Sequence, residues 1–392
     1  MKVAYITPYY PPLNKGGAEI SLKLLADALA VMGHKIFIFV PNYNKGDEIS
    51  NDNPKVIRFK FGKDTTFSQT NPLSVNNFAK RIVNFGEDFD LVDAYKWYQP
   101  AKIVADKMSI PFICSIRDSA PICDFRVDKN PQEYPIFGYF KKRFSTYGIS
   151  PRQMINAFYG FFLTRQNLKI ISQSDCLTFA SAALAKIFKK YNKCGQVVNS
   201  VGLPDFRRET IEIDGIDFDK DKIVVYSGRL SNGKGAGFLF ETAKEVVVKD
   251  KKIKFVFLGD GELINKIYNI KNRQIICLGK KNHDYVLSLI EKATVTVVPS
   301  IVFEGFPRIG IESVSLGIPV IGTTVGGVSE AIGEAGILVR PGDKKRLAKT
   351  ILRVCQDDKL YSELKRQTGS QAEKFKPEKI VKKVISVYKT VL

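Results

Sequence analysis

Histidine is nearly missing from this 392-residue chain. With only His34 and His283 present, a histidine-rich metal centre is excluded. No run reaches the ~18–20 consecutive apolar residues that a membrane-spanning helix needs. Internal repeats and low-complexity tracts are absent, which removes solenoid and collagen-like architectures. The opening MKVAYITPYYPP is too short, and too soon broken by proline, for a signal peptide, so it reads as a buried strand beginning at residue 2. Six cysteines (Cys114, Cys123, Cys176, Cys194, Cys277, Cys355) lie scattered without CxxC or CxxH spacing. That pattern predicts reduced, structural thiols of a cytoplasmic protein rather than a disulfide frame or a metal site.

What the chain has in excess is positive charge. Sixty Lys and Arg against forty Asp and Glu give a net +20, which calls for an anionic partner: nucleic acid, a phospholipid surface or a phosphorylated substrate. The excess is uneven. From Lys141 to Lys193 there are ten basic residues and one acid, Asp175, and aromatic rings crowd the same region from Tyr134 to Phe162.

Length alone points to two domains, since a single core stops growing at about 250–300 residues. In the first half, strand-like runs at 2–7, 35–41, 55–59, 90–94, 111–116, 170–173 and 176–180 alternate with helical patterns, the first at about 18–32. His34 reads as part of the Gly-His close of that helix. The second half starts afresh after a polar, acidic stretch from Gly202 to Lys222, which reads as a hinge. Runs follow at 223–228, 254–261, 275–280, 295–300, 319–323 and 336–342. Short, nearly continuous apolar strands separated by helices predict parallel sheets covered on both faces. The expected fold is therefore α/β: two doubly wound Rossmann-like domains, 1–202 and 203–376, with an amphipathic helix at 377–392. Ligands of such sheets bind at the carboxyl ends of the strands, so the chemistry is expected there, in a cleft between the domains.

Three segments of the second half each end a strand. SGRLSNGKG (227–235) places Arg229 and Lys234 in a glycine-rich turn, two cations beside exposed amides that suit a diphosphate. PSIVFEGFPRIGIE (299–312) sets Glu304 just before a helix opened by Pro307, with Glu312 two turns further on. Gly259-Asp260-Gly261-Glu262 is a tight turn. In the first half, GGAE (16–19) resembles a phosphate-approach loop but lacks the full GxGxxG fingerprint, which disfavours a dinucleotide enzyme. Each segment alone also fits a surface loop, a helix cap or a plain connection.

Taken together and in order, these pieces resemble the family-4 glycosyltransferases of the GT-B fold: GGAE, GRL…KG, LGDGE, the Glu304-x7-Glu312 segment, LGIPVIGTTVGGVSEAI, GILVRPGD and the final FKPEKIVKKVISVYKTVL. The resemblance is strongest over 223–345 and weakest over 45–90 and 120–170. It implies a retaining transfer of sugar from a nucleoside-diphosphate sugar, UDP- or GDP-linked, with no cofactor and no metal. It further implies that Arg229 and Lys234 bind the diphosphate, helped by the backbone of Gly17, and that Glu312 holds the ribose. Glu304 would contact the transferred sugar beside the backbone of Gly305, Phe306, Pro307, Arg308 and Ile309. Gly259 and Lys280 would line the donor site, Lys280 near the base. The final helix would cross back onto the first domain.

One position departs from the family. Its members commonly carry histidine then aspartate after the strand represented here by PFICSI, where this chain has Arg117-Asp118. Arginine carries no proton to or fro near neutral pH, so it would hold a sugar hydroxyl or a phosphate, or else only brace its loop against Asp118 or Asp124. His283 reads as a polar-loop residue without a chemical role.

In this family the first domain selects the acceptor, expected here to be a lipid-linked, polysaccharide or other cell-envelope glycan. Lys141, Lys142, Arg143, Phe158, Tyr159 and Phe161 read as an acceptor- and membrane-facing surface, placing a cytoplasmic protein on the inner face of the membrane. The competing reading packs those rings into the core. Rival functions are a nucleotide-sugar epimerase, a non-catalytic sugar-nucleotide binder and a nucleic-acid-binding protein. No helix-turn-helix, zinc-finger or RNP-like pattern supports the last, and no nucleic-acid partner is expected.

Overall fold

The computed structural model describes residues 1–13, 16–43, 45–65, 69–122, 134–270 and 272–392. They form two compact units. One contains the described residues up to Val201 together with Pro377–Leu392, and the other contains Gly202–Lys376.

The first unit runs β1 (Lys2–Ile6), α1 (Gly17–Val31), β2 (Lys35–Tyr43), β3 (Glu48–Ile49), β4 (Lys55–Phe61), α2 (Pro72–Val83), β5 (Leu91–Tyr95), α3 (Tyr98–Met108), β6 (Phe112–Ile116), α4 (Ile136–Tyr147), α5 (Pro151–Ser172), β7 (Cys176–Phe179), α6 (Ala182–Phe188) and β8 (Gly195–Val197). The sheet order is β3-β4-β2-β1-β5-β6-β7-β8, parallel except for the antiparallel β3 edge. β1 and β5 are wholly buried apart from Lys2, as expected of strands covered on both faces. Strand order reverses between β1 and β5, which places the loops starting at Thr7 and Lys96 beside the switch point.

The C-terminal helix, Pro377–Lys389, completes this unit. Its Ile380, Val381, Val384, Val387 and Tyr388 pack with Leu22, Leu25 and Leu29 of α1. Deeper in, the Tyr388 hydroxyl donates to Asp93 Oδ2 at 2.8 Å and lies 2.5 Å from the Tyr5 hydroxyl. At the end of α1, Gly33 has φ +87° and the His34 amide donates to the Leu29 carbonyl at 3.1 Å. A left-handed glycine followed by such a bond closes a helix.

The second unit is wholly parallel, in the order β11-β10-β9-β12-β13-β14. Its elements are β9 (Lys222–Ser227), α7 (Ala236–Lys249), β10 (Ile253–Leu258), α8 (Ile264–Tyr268), β11 (Ile275–Gly279), α9 (His283–Glu291), β12 (Val295–Val298), α10 (Arg308–Ser315), β13 (Val320–Thr323), α11 (Val328–Ile332), β14 (Gly336–Val339), α12 (Lys344–Gln356) and α13 (Asp358–Ala372). Its switch point lies between β9 and β12, so the loops at 228–235 and 299–307 flank it.

Three expectations from sequence are corrected. Ile170, Ile171 and Ser172 are the last turn of α5, not a strand. Buried Ala157, Gly160, Thr164, Leu168 and Ile171 form one helical stripe, and a short apolar run read alone does not tell a buried helix end from a strand. The stretch after Gly202 is no free hinge. Ile211 is buried in the second unit's core with Ile213, Ile216 and Phe218 against it, and Arg208 forms a bidentate pair with Glu291. Finally, Cys176 and Cys194 form a disulfide, contrary to the expectation of reduced thiols throughout. They meet because β7 pairs with β8 in a register setting Leu177 against Gly195, which brings the preceding residues together with Cα atoms 4.8 Å apart. Cys114, Cys277 and Cys355 are free and buried, and Cys123 lies outside the described residues.

Candidate functional site

At the second unit's switch point, the turn after β9 is built by close backbone approach. Gly259 has φ +133°, and a Cβ there would sit 1.8 Å from the Gly228 carbonyl oxygen. The Leu230 amide donates to the Asp260 carbonyl at 2.9 Å, and Glu262 accepts from the Asn232 amide at 3.0 Å. The Gly259–Glu262 turn therefore acts as the brace that shapes the Arg229–Lys234 loop. From the other side, the Ile301 amide donates to the Gly233 carbonyl at 2.9 Å, joining the loop after β9 to the loop after β12.

Lys234 and Glu304 meet at this junction. Nζ donates to Oε1 at 2.6 Å and to Oε2 at 2.8 Å, and Ser300 Oγ donates to Oε1 at 2.5 Å. Glu304 is buried. Its backbone is fixed as tightly: the Gly327 amide donates to its carbonyl at 2.8 Å, and Gly326, at φ +52°, passes so close that a Cβ would lie 1.9 Å from the same oxygen. Arg229 is exposed and its side chain makes no ion pair or hydrogen bond among the described residues. Its backbone carbonyl accepts from Tyr226 Oη at 2.6 Å; burial, reinforced by the Glu304 charge, pushes that phenol well up.

Glu312 lies one helix deeper. Pro307 caps α10 rather than sitting inside its first turn. Arg308 Nε and Nη2 donate to Glu312 Oε1 at 2.8 and 2.7 Å, and Nη2 also donates to the Gly202 carbonyl at 2.7 Å. His283 Nε2 is 3.0 Å from the same carboxylate oxygen and donates to it. Burial alone would raise this carboxyl, yet the Arg308 charge and the His283 contact outweigh it and bring it down to about 2. His283 thus opens α9 and holds Glu312, a contact that its place in a polar stretch concealed. Ser300 was likewise missed, its only signal being the PS that ends the β12 run.

Among the other expected residues, Phe306 turns inward, its ring 5.6 Å from that of Phe375, and Ile309 packs against buried cores. Gly305 is half-buried, and Lys280, just past β11, is exposed.

Gly17, Arg117 and Asp118 belong to the first unit. Gly17 opens α1. Arg117 is buried, Nη1 donating to the Val198 carbonyl at 2.8 Å and the guanidinium lying 4.9 Å from the Tyr95 ring centroid. Asp118 does not brace Arg117; it pairs with Lys96 at 3.0 Å, and Asp124 lies outside the described residues. Lys96 holds a left-handed φ of +70° and also stands 3.9 Å from buried Glu19. No motif pointed to Lys96.

Two family models divide the chain: "Glycosyltransferase Family 4" matches residues 15–196, and "Glycosyl transferases group 1" matches 208–375. A glycosyltransferase of Methanocaldococcus jannaschii is 23% identical over 99% of this chain and 98% of its own length. N-acetyl-alpha-D-glucosaminyl L-malate synthase of Bacillus anthracis is 27% identical over 57% of this chain and 61% of its own. Among solved structures, sucrose-phosphate synthase from Thermosynechococcus elongatus superposes with a TM-score of 0.73 at 18% identity, covering 99% of this chain and 98% of that one. HepE of Anabaena, solved with UDP, superposes at 0.68 and 16% identity over the whole of both chains.

Proposed function

Since the chain belongs to the family-4 glycosyltransferases of the two-domain GT-B fold, and so uses a nucleotide sugar, we propose that it transfers the sugar with retention of configuration, without a metal, to a glycan or lipid-linked acceptor of the cell envelope. The observation that carries the reading is the Arg229, Lys234 and Glu304 cluster at the second unit's switch point. Leaving of a nucleoside diphosphate builds negative charge on its β-phosphate. Arg229 and Lys234 meet that charge from a preshaped turn, in the place a divalent ion takes in other phosphate-handling sites. Glu304 orients Lys234 and presents its carboxylate to the sugar, and Glu312, anchored by Arg308 and His283, accepts from the ribose hydroxyls.

Acceptor selection falls to the first unit, with Arg117, Asp118 and Lys96 beyond β5 and β6 as its polar groups. The cell-envelope class is supported by similarity to the capsular polysaccharide biosynthesis glycosyltransferase CapM of Staphylococcus aureus, 28% identical over 43% of this chain and 46% of its own.

A thermal-shift panel of UDP, GDP, ADP, CMP and their sugar conjugates tests the donor half. One diphosphate at about 100 times its Kd stabilises a fold by about 2.7 kcal/mol, and Arg229→Ala with Lys234→Ala should abolish that shift. Equal, salt-erased shifts with every anion would overturn it. Activity retained in EDTA, and an axial-to-axial or equatorial-to-equatorial product by NMR, test the metal and stereochemical parts.

A further inference from the structure

Between Ile136 and Ser174 the chain carries six basic residues (Lys141, Lys142, Arg143, Arg152, Arg165 and Lys169) and no Asp or Glu. This segment is the α4–α5 hairpin. At 1.5 Å per residue the 22 residues of α5 span about 33 Å, whereas the four residues of β7 that follow span about 13 Å. α5 leads into the amino end of β7, so its early turns overshoot the carboxyl edge of the sheet.

Burial follows that geometry. The stripe Ala157, Gly160, Thr164, Leu168 and Ile171 faces the unit, and α5 is in contact with α3. The opposite stripe is apolar and in water: Ile155 is 70% exposed, Phe158 51% and Phe162 64%, and it continues into basic Arg165 and exposed Lys169. Ile149 in the hairpin turn and Phe137 on α4 add exposures of 75% and 87%. Tyr139, Phe140 and Phe161 hold the two helices together, with ring centroids 5.3 Å apart for Tyr139–Phe161 and 4.6 Å for Phe140–Phe158. Phe161 and Tyr159 are thus half-buried within the hairpin, Phe158 rests on Phe140 with half its surface in water, and Phe162 remains outside. Lys141 and Arg152 are exposed around the same end.

Bulky apolar groups held in water on a hairpin whose own charged residues are all cations fit acyl chains beneath anionic headgroups. No helix among the described residues is long and apolar enough to cross a membrane. We propose that the α4–α5 hairpin lays Phe137, Ile149, Ile155, Phe158 and Phe162 into the interface of an anionic bilayer, with Lys141, Arg152 and Lys169 on its phosphates. This deepens the acceptor side of the proposed function but stands on the hairpin alone, since attachment needs no nucleotide.

The test is co-sedimentation of the full chain with vesicles of phosphatidylcholine, with and without phosphatidylglycerol, for the native protein, Ile155→Ser/Phe162→Ser and Lys141→Glu/Arg152→Glu. Binding is expected only with the anionic lipid and should weaken by at least about tenfold in each double variant. Their circular dichroism and melting should match the native protein, because the altered side chains are exposed. In Phe162→Trp, brominated lipid should quench the new indole, while buried Trp97 stays unquenched. Three outcomes overturn the proposal: no sedimentation with anionic vesicles, sedimentation indifferent to the apolar double variant, or a solution dimer that this variant dissolves without any vesicle binding. A failed donor reading would show instead as missing nucleotide shifts with vesicle binding intact.

Discussion

Lys234 and Glu304 hold each other through both carboxylate oxygens, at 2.6 and 2.8 Å, from loops that end different strands. A cation proposed to serve a diphosphate is thereby kept in place beforehand by the carboxylate proposed to meet the sugar. Removing one such preorganised charge costs about 3–4 kcal/mol of barrier, so Lys234→Ala should lower kcat by a factor of about 10²–10³. Glu304→Gln keeps the shape and the Ser300 contact but loosens Lys234, and should reduce kcat while leaving nucleotide binding. Steady-state kinetics together with isothermal titration of the free nucleotide separates the two.

Glu312 makes stability sensitive to acid. Its folded carboxyl, near 2, lies below the unfolded value of about 4.3, so its contribution is complete above pH 5 and is lost as pH falls towards 2. The shift corresponds to about 3 kcal/mol. In urea titrations the native protein and Glu312→Gln should differ most at neutral pH and converge at the acid end.

Asp93 works in the opposite sense. Burial lifts it to about 6, against the Tyr388 hydroxyl and the Arg117 charge, which pull it down. Its folded value exceeds the unfolded one, so stability falls as pH rises from about 4 to about 6 and levels off above. Asp93→Asn still accepts the Tyr388 hydrogen bond and has nothing to ionise. Melting of this variant relative to the native protein should therefore improve between pH 4 and pH 7, and a constant difference would refute the assignment.

Gly326 tests how tightly the Glu304 backbone is fixed. An added Cβ meets the Glu304 carbonyl oxygen at 1.9 Å and the φ of +52° is itself unfavourable for alanine. Gly326→Ala should cost at least about 2 kcal/mol and weaken the nucleotide-induced thermal shift, although residue 326 offers a ligand no side chain.

What was legible in the sequence was what the local chain decides. Arg229 and Lys234 announce themselves because glycines, a strand end and two cations fall within nine residues, and Glu304 and Glu312 because a helix start fixes their spacing. The α/β alternation and the apolar face of the last helix are equally local patterns. His283 was hidden because its partner stands 29 residues away, on another helix. Cys176 and Cys194 were hidden for a similar reason: only the pairing of β7 with a three-residue strand brings them together. Lys96 is conspicuous in its backbone angle alone, which no residue type announces.

The C-terminal helix has a consequence for synthesis. Leu22, Leu25 and Leu29 wait for Ile380, Val381 and Val384, so the unit that leaves the ribosome first is finished last. Gly202–Lys376, uninterrupted in the chain, has all its parts before then. Nascent chains halted at residue 376 should therefore carry a protease-resistant second unit beside a first unit with an uncovered apolar flank, a natural target for chaperones until the final helix emerges.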